Sequence, residues 1–215
     1  MTWSVRHVSV DAAAFHAEDL SDKRAMYVVE AAGSSVVLGS RQGLSLLDEA
    51  ACRARGVAIA TRRSGGGLVY LADSEYLWID LVIARNDPLW VDDVRASMRW
   101  LGAVWQDALR RVGIGECTVY EGALTGGDLG QLVCFAGVGP GEVIDASGAK
   151  LVGIAQRRTR THARFQTMVL LRWDPEELVA LLADPDVDVE ALRARVGVVP
   201  VAADALVAAF VQSLP

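Results

Sequence analysis

Three short groups of residues hold the chemistry that this sequence can offer. The first is Arg62-Arg63-Ser64-Gly65-Gly66-Gly67. Glycines lack a Cβ, so the chain can turn tightly here and bring its backbone against a ligand. The arginine pair suits a carboxylate, a phosphate or an acyl carbonyl. The same pattern also fits a plain turn between two strands, with solvated arginines beside it. The second group surrounds Lys150, in Gly148-Ala-Lys-Leu-Val-Gly-Ile-Ala-Gln156. Of the chain's 21 Lys and Arg residues only two are lysine, Lys23 and Lys150. A lysine kept in an arginine-dominated chain points to a task that needs a compact ammonium rather than a planar fork. Its other reading is an exposed hairpin residue. The third group is Leu132-Val-Cys-Phe-Ala-Gly-Val-Gly-Pro-Gly-Glu142. Here Gly137, Gly139, Pro140 and Gly141 describe a tight loop able to present Cys134 as a nucleophile. A thiol among apolar residues equally fits inert core. Cys52 and Cys117 read as structural.

These groups need a scaffold of strands and short helices. Residues 3–10 alternate in polarity and predict a strand. Residues 26–30 and 35–39 predict a hairpin turned through Gly33. Residues 44–55 predict a helix stopped by Gly56. Strands are expected over 57–61, 68–71 and 76–84. In the last, Leu77, Ile79, Leu81 and Ile83 share one side, and Trp78, Asp80 and Val82 the other. A helix is expected over 92–112, capped by Asp92, with a core stripe of Val94, Met98, Leu101, Trp105 and Leu109. Further strands are expected near 117–120, 129–135, 142–146, 150–156 and 164–172. Asp174-Pro175 starts a helical tail with helices near 188–195 and 203–213. The fold class expected is α+β, a mixed and largely antiparallel sheet with helices packed against it. Residues 1–215 read as one domain.

Composition narrows the function. The chain has 215 residues, 52% hydrophobic and 22% charged, with a net charge of −6. That suits a globular enzyme and argues against general nucleic-acid binding, which needs a basic surface. No run reaches the roughly 20 apolar residues that span a membrane, and the first residues carry no apolar signal core. Three cysteines without metal spacing suggest neither a disulfide framework nor a metal site. A reducing cytoplasm is the expected compartment.

Taken in order, the groups resemble the lipoate and octanoate attachment branch of the biotin/lipoate protein ligase superfamily. Val37-Leu-Gly-Ser-Arg-Gln42, with Gly39 and Gln42, is similar to that family's V-x-G-x-x-Q strand end. Arg62-Arg-Ser-Gly-Gly-Gly67 is similar to its R-x-S-G-G-G loop, and Lys150-Leu-Val-Gly-Ile-Ala-Gln156 to its K-x-x-G-x-A-Q segment. The resemblance covers about residues 26–185. It departs where the family often has a histidine after the glycines (here Leu71), an asparagine (here Glu75) and His-Gly (here Gln166-Thr167).

The resemblance implies a class II biotin/lipoate ligase-like catalytic domain that joins an eight-carbon acyl group to a lysine of a lipoyl-domain protein. It implies substrate contacts at Gly39, Gln42, Arg62, Ser64, Gly65, Gly66, Gly67, Gly153 and Ala155. It also implies an oxyanion-stabilising role for Lys150. Two activation routes stay open. In one, Cys134 takes octanoate from an acyl carrier protein, and no cofactor is needed; its Cys-Phe pair resembles the nucleophile loop of one transferase group. In the other, ATP and Mg activate lipoate as an adenylate. The expected lack of a large accessory domain after the matched region leans toward the transferase. Glu142 and His162 are the candidate bases. An acidic partner needs a basic patch, which Arg157, Arg158, Arg160 and Arg164 can supply. A third reading is a non-catalytic acyl or cofactor binding module, and biotin ligation is a weaker variant.

Overall fold

Alternation in the stretch Tyr76–Ala84 sets the layers of the molecule. Leu77, Ile79, Leu81 and Ile83 enter one apolar cluster, and Trp78 and Val82 enter another on the opposite face. All six are buried, as a strand covered on both sides requires. The structure is a computed structural model that describes residues 2–20 and 23–215. Its strands are β1 (Ser4–Val10), β2 (Arg24–Ala31), β3 (Ser35–Leu38), β4 (Ala58–Thr61), β5 (Val69–Leu71), β6 (Tyr76–Ala84), β7 (Cys117–Val119), β8 (Val143–Asp145), β9 (Lys150–Arg158) and β10 (His162–Leu170). Its helices are α1 (Ala12–Ala17), α2 (Glu49–Ala54), α3 (Arg99–Arg111), α4 (Gly127–Leu132), α5 (Pro175–Val179), α6 (Val189–Arg195) and α7 (Ala203–Ser213).

The main sheet runs β1-β2-β6-β10-β9-β8-β7, and a second sheet runs β4-β3-β5. Pairing is antiparallel except for β1 with β2 and β3 with β4. This is the mixed, largely antiparallel α+β fold expected. Helices α3 and α7 cover one face, where Leu101, Trp105 and Leu109 meet Leu206 and Phe210. The Trp105 and Phe210 ring centroids are 4.4 Å apart. Each such fully buried side chain contributes roughly 1.5–3 kcal/mol. The small sheet and α1 cover the other face, so helices do not pack on one side alone. Phe15 of α1, Val37 of β3 and Leu71 of β5 there meet Trp78, Met168 and Leu170.

Several sequence expectations are corrected. Residues 26–30 and 35–39 form no hairpin: β2 lies in the main sheet and β3 in the small one. Gly33, at φ +74°, turns the chain from one layer to the other. The expected helix 44–55 is a 3-10 turn, Leu44–Leu46, followed by α2. Asp48 caps α2 by accepting from Ala50 and Ala51 N–H, and Gly56 ends it at φ +66°. Helix α3 starts at Arg99 rather than near 92. Asp92 does not cap it; the Asp93 carboxylate accepts from Ala96 N–H one turn earlier. Val94 is therefore exposed. The strand expected over 129–135 is instead α4 and a 3-10 turn, Cys134–Ala136. A short segment whose apolar residues are Leu129, Leu132, Val133 and Phe135 fits either state, and the flanking Gly126 and Gly127 at positive φ start the turn.

Candidate active site

The end of β3 and the loop after β4 are built as one unit. At Gly39 a Cβ would lie 2.0 Å from the Gly66 carbonyl oxygen, so the two backbones meet where only glycine fits. Gly66 itself takes φ +99°. Gln42 braces this meeting: its Oε1 accepts from Gly39 N–H at 3.0 Å. Its Nε2 donates to the Gln131 and Leu132 carbonyls at the end of α4. Arg62 is buried and turned onto its own loop. It donates to the Val37, Gly65 and Gly67 carbonyls at 3.3, 2.9 and 2.7 Å. Its Nε has no hydrogen-bond partner. Arg63 is exposed.

Cys134 follows α4 and is tied to the glycine loop by its N–H, which donates to the Leu68 carbonyl at 2.9 Å. Its Sγ lies 3.8 Å from the point where a Gly66 Cβ would sit. Lys150 opens β9 and is buried. Its ammonium donates to the Cys134 carbonyl at 2.6 Å and to both Glu142 carboxylate oxygens at 3.0 and 2.8 Å. Glu142 also accepts from Gly139 and Ile154 N–H, at 2.7 and 3.0 Å. The carboxylate thus closes the 134–142 loop against β9. Burying this pair is tolerable because every partner is hydrogen-bonded.

Between the sheets lies a cavity of about 470 Å³, including its open mouth. Trp78, Gly153, Ala155 and Met168 of the main sheet form its floor, and Val37, Val69 and Leu71 of the small sheet its roof. Cys134, Phe135 and Arg62 border it on the loop side, and His16 and Gln166 at the β6 side. The lining is mostly apolar, which suits a hydrocarbon chain.

The polar end of this cavity is organised through α1. Arg164 on β10 pairs with Asp80 on β6 at 2.6 Å. Burial pushes the Asp80 carboxyl up from the usual range, and Arg164, Trp78 and Gln166 oppose that push. Arg164 also donates to the Phe15 and Glu18 carbonyls at the C-terminal end of α1, at 3.1 Å each. This places His16, whose ring stacks on Trp78 at 4.7 Å. Ser64 Oγ donates to Gln166 Oε1 at 2.9 Å, which turns the amide nitrogen of Gln166 toward His16 Nδ1, 3.0 Å away. Nδ1 therefore accepts and the ring proton sits on Nε2. Burial above all, then the charges of Arg164 and Arg62, pull the imidazole pKa from 6.5 to about 3, so His16 is neutral.

The structure thus gathers Arg62, Cys134, Gly153 and Ala155 around one cavity, with Gly39, Gln42 and the glycine loop supporting its rim. Lys150 does not line it but lies against the Cys134 carbonyl. Of the candidate bases, Glu142 is engaged by Lys150. His162 faces Thr159, Thr161 and Asp19 outside the cavity. The expected basic patch is not a patch. Arg164 is buried on Asp80, Arg158 donates to the Val91 and Asp92 carbonyls, and Arg157 reaches Asp19. His16 is the site residue that the sequence reading does not reach, and Gln166 is reached only as the residue standing where the family has a histidine. The one local signal was a histidine among small and apolar residues, right behind the Asp11 cap. Among the described residues, no group of His, Cys, Asp or Glu is arranged to hold a metal ion. None of their helices is long and apolar enough to cross a membrane.

Residues 6–209 match the family described as the lipoyl protein ligase A/B catalytic domain. A search of curated proteins finds no match. In fold the chain is similar to a bipartite lipoate protein ligase from Thermoplasma acidophilum, studied with its E2 lipoyl domain. The identity is 20% and the TM-score 0.74, over 99% of this chain and 82% of that one. It is similar to lipoate-protein ligase A bound with ATP, at 20% identity and a TM-score of 0.71, over 99% and 84% of the two chains. It is more distantly similar to biotin protein ligase from Aquifex aeolicus in complex with biotin and ATP. There the identity is 8% and the TM-score 0.53, over 98% and 68%. The chain therefore belongs to the lipoyl protein ligase A/B catalytic-domain family and is an enzyme of the acyltransferase or ligase type.

Proposed function

We propose that this protein attaches an octanoyl or lipoyl group to a lysine of a lipoyl domain by acyl transfer through Cys134. The observation that carries this reading is the place of Cys134: its side chain borders an apolar cavity at the glycine loop, half-buried rather than sealed in core. Cys52 and Cys117 lie outside that cavity and are buried. The acceptor is inferred from the likeness to a ligase studied with its E2 lipoyl domain.

The steps follow from ordinary thioester chemistry. The Cys134 thiolate attacks the carbonyl carbon of a thioester-bound acyl group on an acyl carrier protein. The carrier's sulfur leaves as a thiolate, and the acyl group is held as an enzyme thioester. The neutral amine of the acceptor lysine then attacks the same carbon. An amide forms, the amine loses its extra proton, and the Cys134 thiolate leaves. Lys150 fixes the backbone that carries the thiol. Arg62, Ser64 and Gly65–Gly67, with Gly39 and Gln42 behind them, shape the wall. Gly153 and Ala155 keep the floor low enough for a chain to lie on β9.

The rival route uses ATP, and a triphosphate calls for several cationic donors facing the cavity. Here Lys150 is engaged by Glu142 and Arg62 has only Nε without a partner, while Arg63 of the same loop is exposed. The reading also takes residues 1–215 as one catalytic domain working in the cytoplasm, where the thiol stays reduced. The experiment is a mass measurement. Octanoyl carrier protein alone should add one octanoyl mass to the enzyme, removable by hydroxylamine and absent from Cys134→Ser. Full activity of Cys134→Ser with lipoate and ATP would overturn the covalent route in favour of the ligase.

A further inference from the structure

The cavity is apolar along its length but ends on a hydrogen-bond donor that the protein leaves unused. His16 makes one hydrogen bond among the described residues, at Nδ1. Its Nε2–H has none, although the ring lines the cavity. The arrangement holding it is built from three directions. Ser64 orients the Gln166 amide, Gln166 fixes the proton on Nε2, and Trp78 fixes the ring plane by stacking.

The register shows where this donor stands. Met168 pairs with Gly153 on one side and with Trp78 on the other. Phe135, next to Cys134, packs over Gly153, and His16 packs over Trp78. The thiol end and the imidazole end are thus two strand spacings apart, roughly 10 Å. Gly65 and Gly66 are exposed at the thiol end, whereas His16 is 7% exposed. A chain held at Cys134 and laid across β9, β10 and β6 would end beside His16.

We propose that His16 is a specificity-determining residue that donates its Nε2–H to a hydrogen-bond acceptor, an oxygen or sulfur atom, carried at the far end of the acyl chain. This rests on the reading of the cavity as the acyl site. A plain hydrocarbon tail fills the slot and binds, but it leaves the Nε2–H without a partner, so it binds less tightly than a chain that brings an acceptor. The ring stays neutral through the physiological range, so it reads an uncharged acceptor rather than a second carboxylate.

The test is calorimetric binding of two free acids, octanoate and ω-hydroxyoctanoate, to the intact protein. The wild type should bind the hydroxy acid about tenfold more tightly, the scale of one hydrogen bond. His16→Phe, which keeps the stack on Trp78, should lose that preference while holding octanoate within about twofold. His16→Gln, which restores a donor, should recover part of it. Equal affinities in the wild type overturn the inference even if His16→Phe fails to fold. So does a His16→Phe loss that is equal for both acids, because that marks a structural role only. Failure of both acids to bind overturns it as well. Binding with the expected preference but without any acyl-enzyme would leave His16 as assigned and remove only the Cys134 route.

Discussion

The Lys150 ammonium lies 2.6 Å from the carbonyl oxygen of Cys134, while Glu142 takes the rest of its hydrogen-bonding capacity. The lysine is thus bonded to the backbone of the cysteine that borders the cavity. A residue singled out for charge also serves as a fastener. Because the pair is almost fully buried, removing one partner leaves the other uncompensated, at about 3–5 kcal/mol.

Lys150→Met and Glu142→Gln should therefore each lower stability in urea unfolding. The double variant should cost less than the two single costs added, by about 1–3 kcal/mol of coupling. Acyl transfer should be lost wherever Lys150 is absent, including in the double variant. Lys150→Arg should be poor too, since a planar fork cannot place one charge between the Cys134 carbonyl and both Glu142 oxygens. Additive stability costs would mean that the pair is not coupled.

The glycine loop offers a contrast between neighbours. A Cβ at Gly67 would sit 2.7 Å from Cys134 N and 2.8 Å from the Leu132 carbonyl oxygen, whereas at Gly65 it meets nothing within 4 Å. Gly67→Ala should cost about 1–3 kcal/mol and push the Cys134 loop outward. Octanoate affinity should fall with it. Gly65→Ala should stay within about 0.5 kcal/mol of wild type. Matching melts for the two variants would show that the loop tolerates more room than its contacts imply.

The sequence and the structure agree most closely where local pattern and tertiary need coincide. Period-two alternation in 76–84 gave both faces of the central strand, because each face meets a different layer. Asp174 could be read as a helix start because capping is local. The α4 segment could not, since Leu129, Leu132, Val133 and Phe135 fit either a strand or a helical turn and only packing on the glycine loop decides. The motif residues could be found one by one, but not their division of labour. Arg62 looked like a ligand for an anion, yet its fork closes on its own loop carbonyls. Gln166 stood where a family histidine was expected, and a histidine from α1, 150 residues away in sequence, is its partner in the cavity wall. No spacing rule reaches that far.

His16 makes the fold sensitive to acid with a predictable sign. Its pKa falls from 6.5 to about 3 on folding. Between those values the unfolded chain binds a proton that the folded chain refuses, so stability is full above pH 6.5 and declines as pH drops toward 3. The slope from this one group is at most about 1.4 kcal/mol per pH unit. Asp80, pushed up by burial, acts in the opposite sense. His16→Gln should therefore flatten the acid limb of the stability curve relative to wild type, with Asp80 common to both. A parallel pair of curves would mean that His16 keeps an ordinary pKa.

The three thiols should also separate by reactivity. Cys52 and Cys117 are 1% and 2% exposed, and burial pushes both thiols up, away from the thiolate form. Cys134 is only partly covered and its side chain faces the cavity. Alkylation needs a thiolate that the reagent can reach, so iodoacetamide should place its first label on Cys134 in the native protein. Octanoate should slow that label by roughly tenfold or more, because a chain in the slot covers the sulfur. In denaturant all three should react at similar rates. Peptide mapping after short exposure gives the order directly. Early labelling of Cys52 or Cys117, or a Cys134 rate indifferent to octanoate, would separate the thiol from the acyl site and leave Cys134 as a loop residue.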